Sequence, residues 1–68
     1  MLTFSVGQKY KIHFGENHYR NKIIECRAIV DENWIVYRWC YGDVWQYVIE
    51  LIASLQLLEK DEILTKEE

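Results

Sequence analysis

From Lys9 to Phe14 every second side chain is apolar, with Tyr10, Ile12 and Phe14 on one side and Lys9, Lys11 and His13 on the other. Period-two alternation predicts a half-buried strand, entered here through Val6-Gly7-Gln8. Gly15-Glu16-Asn17-His18 then supplies turn chemistry, because glycine and asparagine tolerate positive φ. A second strand is predicted over about Lys22–Val30. Ile24, Cys26, Ala28 and Val30 share one face of it, opposite Glu25 and Arg27, while Ile23 and Ile29 interrupt the polar row. Small residues at 26 and 28 suit the inside of a curved sheet. Asp31-Glu32-Asn33 reads as a short hairpin connection.

The third predicted strand, Trp34–Tyr41, is bulky on both faces: Ile35, Tyr37, Trp39 and Tyr41 form one row, Trp34, Val36, Arg38 and Cys40 the other. Such a strand is central, or has one face covered by something else, and the pattern does not say which row is inside. Gly42-Asp43 predicts a tight hairpin into Val44–Glu50, where Trp45, Tyr47 and Ile49 alternate with Gln46 and Glu50. Beyond Glu50 the period changes. Leu51, Ile52, Leu55 and Leu58 fall at helical spacing and predict one short helix near residues 50–58. A last short strand is expected through Ile63 and Leu64, with residues 65–68 frayed. The expected core draws on Tyr10, Ile12, Phe14, Ile24, Ala28, Val30, Val36, Ile49, Leu51, Ile52 and Leu55.

Length narrows this picture. Sixty-eight residues sit near the lower limit for one self-supporting core, so residues 1–68 are read as a single domain. Half the residues are hydrophobic and proline is absent, which argues against a disordered or linker-like chain. Ten aromatic residues, each able to bury roughly 150–250 Å², offset the poor surface-to-volume ratio. A chain this small also gains stability by pairing with itself, so a homodimer belongs among the expectations. No stretch approaches the ~20 apolar residues of a membrane span. Met1–Ser5 lacks the basic flank and apolar run of a secretion signal and reads as a native start. Two cysteines, Cys26 and Cys40, are too few for a disulfide scaffold, and a reducing cytoplasm with both thiols free is expected.

The order strand, longer loop, strand, tight hairpin, strand, tight hairpin, strand, helical turn, short strand resembles the small SH3-like or Tudor-like barrel. The entry Val6-Gly7-Gln8-Lys9-Tyr10-Lys11-Ile12 is similar to that of many such barrels. The resemblance implies a mainly β, antiparallel barrel of about five strands with one short helix near the C-terminus. Trp34-Ile35-Val36-Tyr37-Arg38-Trp39, followed by Trp45-Gln46-Tyr47, also looks like small bacteriophage-encoded proteins of this barrel type. That likeness implies host-directed roles, among them inhibition of host defence by anti-CRISPR-like factors, and it assigns no role to any residue.

The aromatic concentration is the main functional lead. If Tyr37, Trp39, Tyr41, Trp45 and Tyr47 cannot all fit inside so small a fold, some lie exposed, and exposed Trp, Tyr and Arg are the types that anchor protein interfaces. The expected partner-binding set is therefore Tyr37, Arg38, Trp39, Tyr41, Trp45 and Tyr47. The alternative, that these rings build the core and its rim, stands beside it. A second reading gathers Lys9, Lys11, Arg20, Lys22 and Arg27 near the rings to bind nucleic acid by stacking and charge. Against it, the net charge is −3, with a balance of +3 over residues 1–30 and −6 over residues 31–68. A self-associating structural subunit is the third reading. His13, His18, Cys26 and Cys40 lack the close pairing that pre-positions zinc ligands, so no metal is expected. No Gly-rich phosphate loop, Ser-His-Asp pattern or Cys-His pair is present. A non-enzymatic, cofactor-free protein-binding module is the expectation.

Overall fold

Two tight connections set the sheet. In the computed structural model, which describes residues 3–13, 22–61 and 63–67, five antiparallel strands form one sheet. They are β1 (Lys9–Ile12), β2 (Lys22–Val30), β3 (Trp34–Tyr41), β4 (Val44–Leu51) and β5 (Leu64–Lys66), with one helix, α1 (Ile52–Lys60), between β4 and β5. The spatial order is β4-β3-β2-β1-β5. Gly42, at φ +63°, opens a two-residue turn that closes on the pair Tyr41–Val44. Glycine in the first central position suits the II′-type connection that matches strand twist. The other hairpin places Asp31 and Glu32 at φ +50° and +65°, where a Cβ is strained, and Asn33 donates back to the Val30 carbonyl at 3.2 Å.

The expected barrel is corrected. The sheet is not closed, and β4 and β5 are its two edges. After β4 the chain turns into α1, which packs over one face of the sheet. Leu55 of α1 is fully buried against Tyr10, Ile12, Ile24, Cys26, Ile35, Tyr37 and Leu64, with Ile52, Leu58 and Ile63 packed around them. Fully burying a side chain of this size is worth roughly 1.5–3 kcal/mol, so this single layer carries the fold. The Asn33 carbonyl receives the Ile52 N–H at 2.8 Å, satisfying one of the unpaired groups at the helix start. Where a frayed end was expected, Thr65 and Lys66 pair with Lys11 and Tyr10, and the Glu67 N–H reaches the Lys9 carbonyl at 3.0 Å.

The N-terminal segment closes the core from the side. Phe4 lies 4.9 Å from the Tyr10 ring, and the Tyr10 hydroxyl accepts from the Ser5 N–H at 2.9 Å and donates to the Thr3 carbonyl. Gly7, at φ +88°, lets the chain turn so that its N–H meets the Cys26 carbonyl at 2.8 Å.

The largest departure from the expected pattern is a bulge in β2. Cys26 faces Tyr37 and Ala28 faces Val36, so Arg27 is an extra residue with no partner on β3. The extra residue inverts the alternation. Ile24 and Cys26 point inward, but Ala28 and Val30 point outward and Ile29 takes the inner position opposite Ile35. Ala28 and Val30 therefore leave the expected core, with Val30 39% exposed. Val36, Ile49 and Leu51 leave it too. Val36 is half-buried, Ile49 and Leu51 are exposed, and the inward row of β3 is Ile35, Tyr37 and Trp39. Phe14 lies outside the described residues.

The strained Asp31–Glu32 turn yields an expected outcome. Replacing the pair by Asn and Gly, which occupy the left-handed region at little cost, raises unfolding free energy by about 1 kcal/mol. Urea titration of the doubly substituted and native chains checks it, with an equal or lower midpoint refuting the strain.

Candidate interaction surface

With α1 covering the inner face, the opposite face of the sheet is open. The β3–β4 register puts four cross-strand pairs on it: Cys40–Trp45, Arg38–Tyr47, Val36–Ile49 and Trp34–Leu51. β2 adds Glu25 beside Arg38, Ala28 beside Val36 and Val30 beside Trp34. Trp34, Trp45, Tyr47, Ile49 and Leu51 are between 39% and 59% exposed, so this face is aromatic and apolar yet uncovered. Contiguous patches of this kind mark interaction surfaces more often than single exposed apolar residues do.

Arg38 organises the middle of the face. Its Nε donates to Glu25 Oε1 at 2.8 Å, one terminal nitrogen donates to the Tyr47 hydroxyl at 3.2 Å, and its guanidinium lies 4.0 Å from the centre of the Trp45 ring. One planar cation thus fixes a carboxylate, a phenol and an indole by charge, hydrogen bonding and cation–π attraction. Arg27, the bulge residue, reaches the same Glu25 oxygen at 3.3 Å. Hydrogen bonding from Arg38 holds the Glu25 carboxyl below its ordinary range, with the charges of Arg38 and Arg27 adding to the effect.

The six residues expected to bind a partner do not share this surface. Arg38, Trp45 and Tyr47 lie on it, while Tyr37, Trp39 and Tyr41 belong to the opposite row of the sheet. Tyr37 is buried and donates to Glu50 Oε1 at 3.2 Å. Burial, then the neighbouring Glu50 charge, push its phenol up to about 12. Trp39 is half-buried, with the Lys22 ammonium 3.9 Å over its ring and Tyr41 edge-on at 5.8 Å. Trp34, Ile49 and Leu51 were not among the expected site residues. The signal that finds them is the Gly42-Asp43 turn, which fixes the cross-strand pairs and puts them in the row that carries Arg38.

The basic residues of the nucleic-acid reading are dispersed. Lys9 and Lys11 are on the outer side of β1, and Lys11 pairs with Glu67 at 3.5 Å. Arg27 pairs with Glu25, Lys22 is on the inner side against Trp39, and Arg20 lies outside the described residues. A cleft of about 370 Å³ opens on the helix side between Ile12, His13, Lys22, Tyr37, Glu50, Leu55, Leu58 and Ile63. Its wall is mainly apolar, with the Tyr37–Glu50 hydrogen bond at one side. Among the described residues no three His, Cys, Asp or Glu side chains group to hold a metal ion, and no helix is long and apolar enough to cross a membrane. Compared with known protein families, with curated proteins and with solved structures, the chain matches none.

The two thiols report the two faces. Cys26 is buried, which pushes its thiol pKa up, whereas Cys40 is exposed beside Trp45. One equivalent of a maleimide is expected to modify Cys40 quickly in the native protein, and Cys26 only on unfolding. Peptide mapping by mass spectrometry reads this directly; rapid labelling of Cys26 would contradict its place in the core.

The Glu25 cluster has its own pH signature. Its folded pKa lies below the ordinary 4.5, so its contribution to stability is complete above that value. That contribution is lost as pH falls through the depressed folded value. Thermal midpoints recorded from neutral to acid pH are expected to fall less steeply at the acid end in Glu25→Gln than in the native chain.

Proposed function

We propose that this domain is a non-enzymatic protein-binding module whose docking surface is the outer face of β3 and β4. The observation that carries the reading is the uncovered row of Trp34, Trp45, Tyr47, Ile49 and Leu51 around a pre-positioned Arg38. Large rings and an arginine are the residues that anchor interfaces, because they bury much area at little entropic cost. Holding Arg38 on Glu25, Tyr47 and Trp45 before binding lowers that cost further. The complementary partner presents an apolar centre with hydrogen-bond acceptors at its margin, able to meet the outer guanidinium edge and the indole N–H groups. Pairing of Lys11 and Arg27 with carboxylates weighs against a phosphate-tracking role.

The test is capture of a protein partner by the tagged chain from host lysate, before and after nuclease, at low and high salt. Trp34→Ala and Trp45→Ala are expected to lower the amount captured at least tenfold while circular dichroism and the cooperative thermal transition persist. Undiminished capture by both variants would remove the outer face from the binding role. Recovery of nucleic acid alone, lost as salt rises, would replace the reading with the charge-driven one.

A further inference from the structure

The two edges of the sheet are not alike. β5 is three residues long and carries Lys66, so it offers little to an incoming strand. β4 is eight residues long, and among the described residues nothing pairs with its far side. It contains no proline, lysine or arginine, its pairing with β3 has no bulge, and its single charge is Glu50. Natural edges are ordinarily guarded by one of those devices.

Its backbone groups follow from the turn. A two-residue hairpin closing on Tyr41–Val44 makes that pair hydrogen-bonded, so Val44, Gln46, Val48 and Glu50 bond to β3. The Ile52 N–H bonding to the Asn33 carbonyl at 2.8 Å continues the same parity. The N–H and C=O groups of Trp45, Tyr47, Ile49 and Leu51 therefore point away from the sheet. Within the outer face, exposure is greatest on the same strand: Tyr47 and Ile49 are each 59% exposed, whereas Val36, next to Ile49 in the middle of the face, is half-buried. A covering element lying flat on the face would be centred on Val36. The exposure is centred on β4.

We propose that two copies of this chain pair antiparallel through the free edge of β4, joining their sheets into one continuous sheet around a two-fold axis. The strand is complementary to itself in one register. With Val48 on the axis, Tyr47 stands opposite Ile49 of the second copy and Trp45 opposite Leu51 of the second copy. Every outward face pair is then aromatic against aliphatic, a favourable cross-strand combination. On the other face Gln46 stands opposite Glu50 of the second copy, so the strand's single charge meets an amide donor. Shifting the two strands to bring Glu50 against its own copy would oppose like charges, and a one-residue slip would misalign the outward N–H and C=O groups. Seven residues of overlap give a seam of about 24 Å. Pairing leaves the outer face open and sets each Trp45–Tyr47 stretch beside Ile49 and Leu51 of the second copy, so self-pairing does not depend on the docking role.

Sedimentation equilibrium over a range of concentrations is expected to give twice the chain mass of 8.3 kDa for the native protein. Ile49→Pro removes an outward N–H without touching the β3 ladder, and is expected to halve the measured mass with circular dichroism retained. Ile49→Lys, a guard charge on the same edge, is expected to do the same and serves if the proline variant does not fold. In a Cys40→Ser background, mild oxidation is expected to cross-link Val48→Cys through the axis and to leave Tyr47→Cys uncross-linked. Trp34→Ala, away from the free edge, is expected to keep the dimer, which separates failure of self-pairing from failure of partner docking. A monomer at every concentration, a dimer indifferent to the folded Ile49 variants, or a cross-link from Tyr47→Cys in place of Val48→Cys would overturn the proposal.

Discussion

A sheet has two faces, and among the described residues one nine-residue helix is there to cover them. That shortage governs the rest of the molecule. The covered face collects the fully buried side chains, Tyr10, Ile24, Cys26, Ile35, Leu55 and Leu64, into a single layer. Leu55 is the only fully buried residue that α1 contributes, so the helix is held by one anchor and a flank of half-buried neighbours. Among the described residues no layer lies above the other face. Its side chains must satisfy one another, and they do so through Arg38.

Arg38 is an unusual centre for an apolar surface, and its neighbours explain how it is tolerated. Glu25 cancels its charge, Tyr47 takes one donor, and the Trp45 ring covers its flat side. Each of these partners comes from a neighbouring strand, so the cluster also ties β2, β3 and β4 in register. An exposed ion pair alone contributes little to stability. Here the same atoms hold two large rings at fixed positions, which is the state a docking surface needs before a partner arrives.

The hairpins were legible because their turns are local. Gly42-Asp43 and Asp31-Glu32-Asn33 form the expected connections, the second at positive φ that Glu32 does not favour, and β2, β3 and β4 begin and end close to the expected residues. The change of period after Glu50 revealed α1 to within two residues of its observed start. Which face lies inside was not local information. Strand β3 is bulky in both rows, and the choice depends on where α1 packs. The bulge at Arg27 was written only as an irregularity, Ile29 standing where a polar residue was due. One extra residue inverts the faces of everything after it, so Ala28 and Val30 were assigned inward and lie outward. The site divided for the same reason. Tyr37, Trp39, Trp45 and Tyr47 are close in sequence, but strand alternation sends the first two to the core side and the last two to the open side.

Closing the sheet into a barrel would pair its two edge strands, β4 and β5, whereas among the described residues both edges stay open and one face stays bare. Charge is distributed consistently with this. The acidic excess gathers at the two hairpin tips, through Asp31, Glu32 and Asp43, and at the end of α1, through Glu59 and Asp61. The outer rows of β3 and β4 carry one charge, Arg38, and it is already matched by Glu25. The acids at these ends repel other acidic surfaces, while the charge on the outer face is already balanced by the Arg38–Glu25 pair. A neutral, apolar surface between acidic ends is the arrangement on which the proposed docking and the proposed pairing rely.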